Sequence, residues 1–222
     1  MEKFYLEEPT MKRKHQAYEY IIEHIKNNSN INGSGSLDKY IDNYEGWLKK
    51  LENDKNRIPD EYRVPSLTYF LIRENDDKII GMINIRLTLN ELLKSYGGHI
   101  GYGIRPSERN KGYNKINLYF GLQVCNQHGI DVVFMDADLD NPASWKTMEA
   151  LGGVRVRQYF EERDQTETVD YNINVKESLE KYKDVYEPYI SEERIRRWIK
   201  WVVDLWYFLY LVLLYLYSFL HM

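Results

Sequence analysis

Hydrophobic residues recur with helical spacing in the first part of the chain. A short strand is predicted at 3–6, followed by an amphipathic helix over 11–26. A second helix is predicted over 37–51, because its apolar residues recur at i, i+3 and i+4 and would pack as one face on a sheet. The segment 27–37 between them is rich in Asn, Ser and Gly, so we expect it to be mobile. The predicted apolar face consists of Tyr40, Ile41, Tyr44, Trp47, Leu48 and Leu51.

Short strands dominate the pattern further along the chain. Segments 66–72 and 78–85 predict a hairpin, because the polar run 73–77 between them favours a turn. In the strand around 99–105, every second residue is apolar, which gives one apolar face and one nearly bare face. The mixture of strands and helices indicates an α/β (α+β) protein. The remaining predicted elements are a helix over 115–127, a strand over 131–138, a helix from Asn141 to the Gly152–Gly153 pair, and closing strands over 155–162 and 166–175.

The strand at 99–105 contains Gly101 and Gly103 and leads through Pro106 into a helix that begins near Gly112. Two glycines within a strand indicate a bulge or the close approach of another backbone. A helix start offers unpaired N–H groups and the positive end of the helix dipole, which together favour an anion. Because Gly112 lets the backbone approach closely, this junction is predicted to hold a pyrophosphate.

Composition narrows the class of protein. With 222 residues and 43% hydrophobic content, the chain can bury the core of an ordinary domain. The single cysteine, Cys125, allows no internal disulfide and is interpreted as a small buried hydrophobe. A net charge of −4 argues against nucleic acid as a partner. Residues 1–10 lack the apolar segment of a signal peptide, so a cytoplasmic location is expected.

The run His99–Asn114 (HIGYGIRPSERNKGYN) resembles the acyl-CoA signature of the GNAT superfamily of N-acyltransferases, Arg/Gln-x-x-Gly-x-Gly/Ala. Arg109 and Gly112 match this signature, whereas Asn114 replaces the usual small residue. Asn141 and Ser144 match the superfamily's Asn-x-x-Ala/Ser pattern. The resemblance implies a GNAT domain over 1–175, with a central mixed, mostly antiparallel sheet, a splayed strand pair and flanking helices.

The same resemblance implies acetyl-CoA as cosubstrate. In the superfamily a bulged central strand pairs with the pantetheine arm, which requires a strand edge that side chains do not block. Asn141 followed by Pro142 also fits a plain helix N-cap, and this alternative stays open. The implied cofactor-binding residues are Tyr102, Gly103, Ile104, Arg109, Asn110, Lys111, Gly112, Tyr113, Asn114, Asn141 and Ser144.

Amine acetylation requires a base, because only a neutral amine attacks the thioester. His99 stands where relatives often have a Glu, and its ordinary pKa near 6.5 suits this role; a histidine hydrogen-bonded to backbone is the alternative. Many relatives carry an acidic Tyr where this chain has Met148. Ser144 and Tyr159 are therefore the candidate acids, unless the thiolate leaves unassisted.

No metal is expected, because the acidic residues of segment 131–140 match no metal-binding loop. Asp138 and Asp140 are interpreted instead as attracting a cationic amine or facing water. The sequence thus predicts an acetyl-CoA-dependent N-acetyltransferase for a primary amine of a small molecule or peptide. The absence of the acidic Tyr keeps an alternative open, a catalytically silent acyl-CoA-binding or sensing module.

The resemblance ends near Val175, and 176–222 is interpreted as a helical extension with an apolar tail. Residues 205–220 form a run of 16 residues without a charge, whereas a surface helix shows a single apolar stripe. Segment 198–222 is predicted to contact a membrane, or to form a homodimer; an artefact of the reading frame is the third alternative. Lys and Arg residues precede the run and no Lys or Arg follows it, which would place the enzyme domain in the cytoplasm.

Overall fold

A computed structural model describes residues 1–191. The predicted strands and helices occur in the predicted order, with a short additional helix at Glu91–Ser95, and the class α/β (α+β) is confirmed. The strands are β1 Phe4–Glu7, β2 Ser66–Arg73, β3 Lys78–Arg86, β4 Ile100–Ile104, β5 Val132–Asp138, β6 Val154–Glu161 and β7 Thr166–Asn174. The α-helices are α1 Lys14–Lys26, α2 Tyr44–Lys55, α3 Glu91–Ser95, α4 Tyr113–Gln127, α5 Pro142–Glu149 and α6 Val175–Tyr186.

The strands form two antiparallel sheets that meet at one point and then diverge. One sheet has the order β1-β2-β3-β4 and the other the order β5-β7-β6. The meeting point is a hydrogen bond of 2.8 Å from the His99 N–H to the Phe134 carbonyl. Beyond it β4 and β5 belong to separate sheets, which confirms the predicted splayed pair.

The predicted helix over 37–51 is divided in two. A 3-10 turn spans Leu37–Tyr40, and α2 begins only after Asn43. The Asn43 side chain accepts a hydrogen bond from the Gly46 N–H at 2.9 Å, so it caps a new helix start instead of lying inside a continuous helix. Tyr44 and Trp47 of the predicted apolar face are buried, whereas Ile41, which lies in the interruption between the two helical segments, is 41% exposed.

The glycines of β4 serve the close approach of another backbone rather than a bulge. The β3–β4 register is regular from Gly81↔Ile104 to Ile85↔Ile100. A Cβ atom placed on Gly33 would lie 2.7 Å from both the Gly101 carbonyl and the Tyr102 Cα. The polar segment 27–37 therefore packs directly on β4, which its composition does not predict.

The compact unit extends past the boundary at residue 175 that the sequence suggested. It spans Met1–Tyr189, and α6 packs on α4, with the Tyr119 and Tyr186 rings 5.2 Å apart. The Ser178 hydroxyl also donates to the Leu151 carbonyl at 2.7 Å. The apolar tail predicted over 198–222 lies outside the described residues. Within residues 1–191, no helix is long and apolar enough to cross a membrane.

Candidate active site

A cavity of about 660 Å³ opens where β4 and β5 diverge. Its walls come from the segment 31–40, from the ends of β4 and β5, and from the start of α5. The segment 31–40 therefore forms one rim of this cavity, and it includes part of the loop that the sequence analysis expected to be mobile.

Three of the predicted site residues meet in this cavity. The Tyr102 hydroxyl lies 3.1 Å from the Ser144 carbonyl oxygen and 3.1 Å from the Ser144 hydroxyl. Asn141 caps α5, because its Oδ1 accepts from the Ser144 N–H at 3.3 Å. Burial raises the pKa of the Tyr102 hydroxyl, so the group stays protonated over the physiological range.

One edge of β4 faces the gap between the sheets. His99 and Arg105 form main-chain hydrogen bonds to β3, at 2.7 and 2.9 Å. Because an antiparallel pair alternates in the direction of its main-chain groups, those of Tyr102 and Ile104 point away from β3. β4 is the edge strand of its sheet. An extended amide-bearing chain could therefore pair with this edge as an additional strand.

The segment 109–114 forms the start of α4 with an open main chain. Asn110 and Gly112 have φ of 61° and 82°, in the left-handed region. Gly112 is the N-cap, and no side chain caps the helix. Within the described part of the chain, a Cβ atom on Gly112 would meet nothing within 4 Å. The space at Gly112 is therefore open, and the N–H groups that begin a helix lack partners within that helix, as an anion site requires.

The side chains of this segment are engaged within the protein. Arg109 Nε donates to the Ile104 carbonyl at 3.1 Å, and Lys111 Nζ pairs with Glu108 at 2.8 Å. The Tyr113 hydroxyl donates to a Glu2 carboxylate oxygen. An anion at this helix start would therefore contact mainly main-chain N–H groups.

Glu108 is the centre of an ionic cluster below this segment. Its carboxylate, 5% exposed, pairs with Arg73 at 3.0 Å, Lys78 at 3.1 Å and Lys111 at 2.8 Å. Burial alone would raise the pKa of Glu108, but the three cations outweigh it and lower this pKa to about 2. The cluster connects the helix start to β2 and β3.

Glu108→Gln should lower the free energy of unfolding by about 1–2 kcal/mol at neutral pH, because it leaves the cations without their common carboxylate. A depressed folded-state pKa stabilises the protein above the unfolded pKa, near 4.3, and the stabilisation is lost as pH falls through about 2. The deficit of the variant should therefore shrink between pH 4 and pH 2 in denaturant titrations. Glu91→Gln removes the exposed Glu91–Lys94 pair and should cost under about 1 kcal/mol. An equal cost for both variants would contradict this role of Glu108.

His99 lies at the meeting point of the two sheets and outside the cavity lining. Its Nδ1 accepts a hydrogen bond from the Phe134 N–H at 3.0 Å. Burial lowers the pKa of His99, so the ring is neutral at neutral pH. This placement corresponds to the backbone-bonded alternative and does not favour His99 as the base.

Tyr159 is likewise outside the cavity lining. Its hydroxyl donates to the Ser95 carbonyl at 3.2 Å, and the Arg157 guanidinium lies 4.1 Å from the centre of its ring. Burial raises the pKa of Tyr159 to about 12. These contacts fix the Tyr159 side chain outside the cavity. Its placement therefore does not favour Tyr159 as the proton donor.

Asp136 is a cavity residue that sequence reasoning considered only as part of an acidic cluster. Its Oδ2 accepts from the Gly97 N–H at 2.8 Å. Burial raises the pKa of Asp136, and the neighbouring Asp170 adds to the effect, so the carboxylate binds a proton more tightly than usual. The alternation of apolar and acidic residues along β5 was the available signal, because it places Asp136 on the opposite face from buried Met135.

Met148 also lines the cavity and is 1% exposed. A thioether therefore occupies the position expected of an acidic Tyr, and it cannot donate a proton. Residues 1–191 contain no group of His, Cys, Asp or Glu side chains arranged to hold a metal.

The sequence matches the Acetyltransferase (GNAT) family over residues 36–152, more than half of the chain. The protein therefore belongs to the GNAT acetyltransferase family, and it is an acyltransferase. GNAT enzymes use acetyl-CoA as cosubstrate, and the splayed strands and helix start described above lie within or beside the matched region.

Solved structures share the same fold. A ribosomal-protein-S5-alanine acetyltransferase from Vibrio fischeri superposes with a TM-score of 0.60 at 16% identity, covering 78% of this chain and 94% of its own. Mutant forms of the spermidine/spermine N-acetyltransferase SpeG from Vibrio cholerae give 0.57 at 14% identity, covering 81% and 98%. These similarities show the fold alone. A comparison with curated proteins gives no significant match.

Proposed function

We propose that the protein transfers the acetyl group of acetyl-CoA to the primary amine of a small molecule or peptide. The observation that carries this proposal is the cavity at the divergence of β4 and β5, which is lined by Tyr102 of β4, the edge strand of its sheet. The open start of α4 follows β4 along the chain. A pyrophosphate on the α4 N-terminus and a pantetheine along β4 would bring the thioester into the cavity beside Ser144.

The cofactor would be held mostly by main chain. Segment 109–114 supplies N–H groups for the pyrophosphate. The main-chain groups of Tyr102 and the N–H group of Ile104 face outward for the pantetheine amides, whereas the Ile104 carbonyl is bonded to Arg109 Nε. Asn141 orients the start of α5, so that Ser144 lies beside Tyr102.

Asp136 is the base in this proposal, in place of His99. It lies in the cavity, and its raised pKa makes the carboxylate a stronger base than an exposed aspartate. The amine nitrogen attacks the thioester carbonyl carbon, its proton passes to Asp136, and the carbon–sulfur bond breaks as the amide forms. His99 lacks a free Nδ1, because this atom is bonded to the Phe134 N–H.

The hydroxyl groups of Tyr102 and Ser144 are the proton donors that the cavity offers to the departing thiolate. They are 3.1 Å apart, so one can pass a proton while the other replaces it. In this proposal Ser144 keeps the role for which it and Tyr159 were alternative candidates, and Tyr102 replaces Tyr159. An acidic Tyr at the Met148 position is then unnecessary.

The acceptor amine would enter past the rim formed by the segment 31–40. Asp138, at the cavity end of β5, adds a second carboxylate for an incoming ammonium group. Some proteins of the same fold are named for spermidine and ribosomal-protein substrates, so polyamines and peptides with a free amino terminus are suitable first acceptors.

The test is thiol release from acetyl-CoA across a panel of amines, with calorimetry of acetyl-CoA binding in parallel. Turnover above the amine-free rate with at least one primary amine is the expected result. Binding without turnover for every amine would instead support the silent acyl-CoA-binding module, for which Met148 is the argument. Absence of binding would contradict both.

Membrane contact or dimerisation through 198–222 stays a prediction from the sequence. The full chain can be compared with a version that ends at Tyr189, where the compact unit ends, by membrane flotation and light scattering. Flotation of the full chain alone would support a membrane contact; a soluble dimer that becomes a monomer on truncation would support self-association.

A further inference from the structure

A second carboxyl group faces Asp136 from the neighbouring strand. Asp170 on β7 is the direct cross-strand partner of Asp136 on β5. Directly opposed residues of an antiparallel pair have Cβ atoms about 4.5–5.5 Å apart on the same face of the sheet. Asp170 is 2% exposed, so this carboxyl group is almost completely removed from water.

The hydrogen bonds of Asp170 are incomplete. Its Oδ2 accepts from Arg157 Nε at 2.6 Å. Its Oδ1 is buried and has no hydrogen-bond partner in the described part of the chain. An ion pair that served only stability would leave this oxygen unexplained, because burying an unpaired carboxylate oxygen costs free energy. A proton held between the two carboxyl groups would give Oδ1 the partner that it lacks.

Two like charges placed opposite each other in a buried site repel, and one of them then holds a proton to unusually high pH. The Arg157 guanidinium stabilises the ionised form of Asp170, and the hydrogen bond from the Gly97 N–H stabilises the ionised form of Asp136. Burial raises the pKa of each carboxyl group. The pair therefore binds its first proton at a higher pH than an isolated aspartate does, and the two carboxyl groups share this proton; above that pH both are ionised.

The groups that face the pair come from several elements. The charges and titratable groups around Asp136 come from four elements: Arg86 of β3, Tyr96 after α3, Asp138 of β5 and Asp170 of β7. Arg157 and Tyr159 of β6 lie around Asp170, and Tyr159 also interacts with Asp136. Arg86 donates to the Gly97 and Gly98 carbonyls at 2.7 Å, and Arg157 is the cation bonded to Asp170. Each cation thus has its own fixed partner, and Asp170 is the carboxylate directly across from Asp136.

We propose that Asp170 is a positioning residue for acetyl transfer, which acts through Asp136 by sharing with it the proton that the attacking amine releases. The proposal rests on the proposed function, in which Asp136 is the base. In the working form both carboxyl groups are ionised. The amine proton moves to the pair as the carbon–nitrogen bond forms, and it leaves to water after the thiol departs.

The first test is the pH dependence of kcat/KM for an amine that the wild type acetylates. Asp170→Asn keeps the shape of the side chain and removes the repelling charge, so the acid limb of the profile should move to lower pH by about one unit. Glu167→Gln removes the same charge from the same strand at an exposed position and should leave the limb in place. An Asp170→Asn profile identical to wild type would overturn the proposal.

The second test needs neither turnover nor a variant. Nuclear magnetic resonance titration of the aspartate side-chain carboxyl signals in the free wild-type protein should show Asp136 and Asp170 titrating together in two separated steps. Independent single-step titrations would overturn the pairing, even if Asp170→Asn fails to fold. A wild type that acetylates no amine but shows the coupled titration would count against the proposed function and leave the pair standing.

Discussion

Asp136→Asn should lower kcat by about 10²–10⁴-fold while acetyl-CoA still binds, because the substitution removes the proton acceptor and keeps the size of the side chain. The Asn side chain can still accept from the Gly97 N–H, which now bonds Oδ2 at 2.8 Å. The measurement is steady-state turnover over a range of pH, combined with calorimetry of acetyl-CoA. Near-normal turnover in a folded variant would contradict the assignment.

The matched control is Asp131→Asn, which lies immediately before the same strand. Asp131 is 73% exposed and pairs with Lys176 at 2.9 Å, so its neutralisation should leave kcat unchanged. His99→Gln separates the two candidate bases. Loss of turnover in this variant, with Asp136→Asn active, would restore the histidine as base.

Gly112→Val should weaken acetyl-CoA binding by at least tenfold, about 1.4 kcal/mol. Gly112 has φ of 82°, which a β-branched residue adopts only with strain. No neighbour within residues 1–191 lies within 4 Å of its Cβ position. The added side chain would therefore occupy the open space in which the anion is proposed to bind. Calorimetry on the folded variant measures this loss, and unchanged affinity would contradict the pyrophosphate assignment.

Gly129→Val is the control for backbone strain. Gly129 lies just past the other end of α4, with φ of 73° and equally open space around its Cβ position. Both variants should lose a similar part of their stability, but only Gly112→Val should lose affinity for acetyl-CoA. A comparable loss of affinity in both would mean that strain in α4, and not contact with the cofactor, is responsible.

The sequence was sufficient for those parts of the site that are built from main chain. The helix start at Gly112 and the Asn141 cap depend on local residue chemistry, and both occur as predicted. The hairpin between β2 and β3 and the apolar face of β4 follow from alternation along the chain. These features need no knowledge of distant contacts.

Contacts between distant segments could not be predicted in the same way. His99 has a suitable pKa for a base, but its role depends on Phe134, which binds it only after β4 and β5 have met. The proposed role of Asp136 depends on the cavity that it lines and on Asp170, its cross-strand partner on the neighbouring strand β7. The packing of Gly33 on β4 is equally non-local.

Helix boundaries were limited by a different factor. The apolar spacing at 37–51 fits one helix, but the capping side chain of Asn43 stabilises a new start and divides it. α6 lies past the end of the recognised resemblance, so it was assigned to the extension although it packs on α4.

The central claim is that this cavity joins an acetyl group to an amine nitrogen. The most direct measurement is to supply acetyl-CoA with an isotope-labelled acetyl group, together with an accepted amine, and to follow the label by mass spectrometry and nuclear magnetic resonance. The label should appear as an amide on the acceptor, at a rate that Asp136→Asn suppresses. A label that remains in the thioester, or that appears only as free acetate, would contradict the claim.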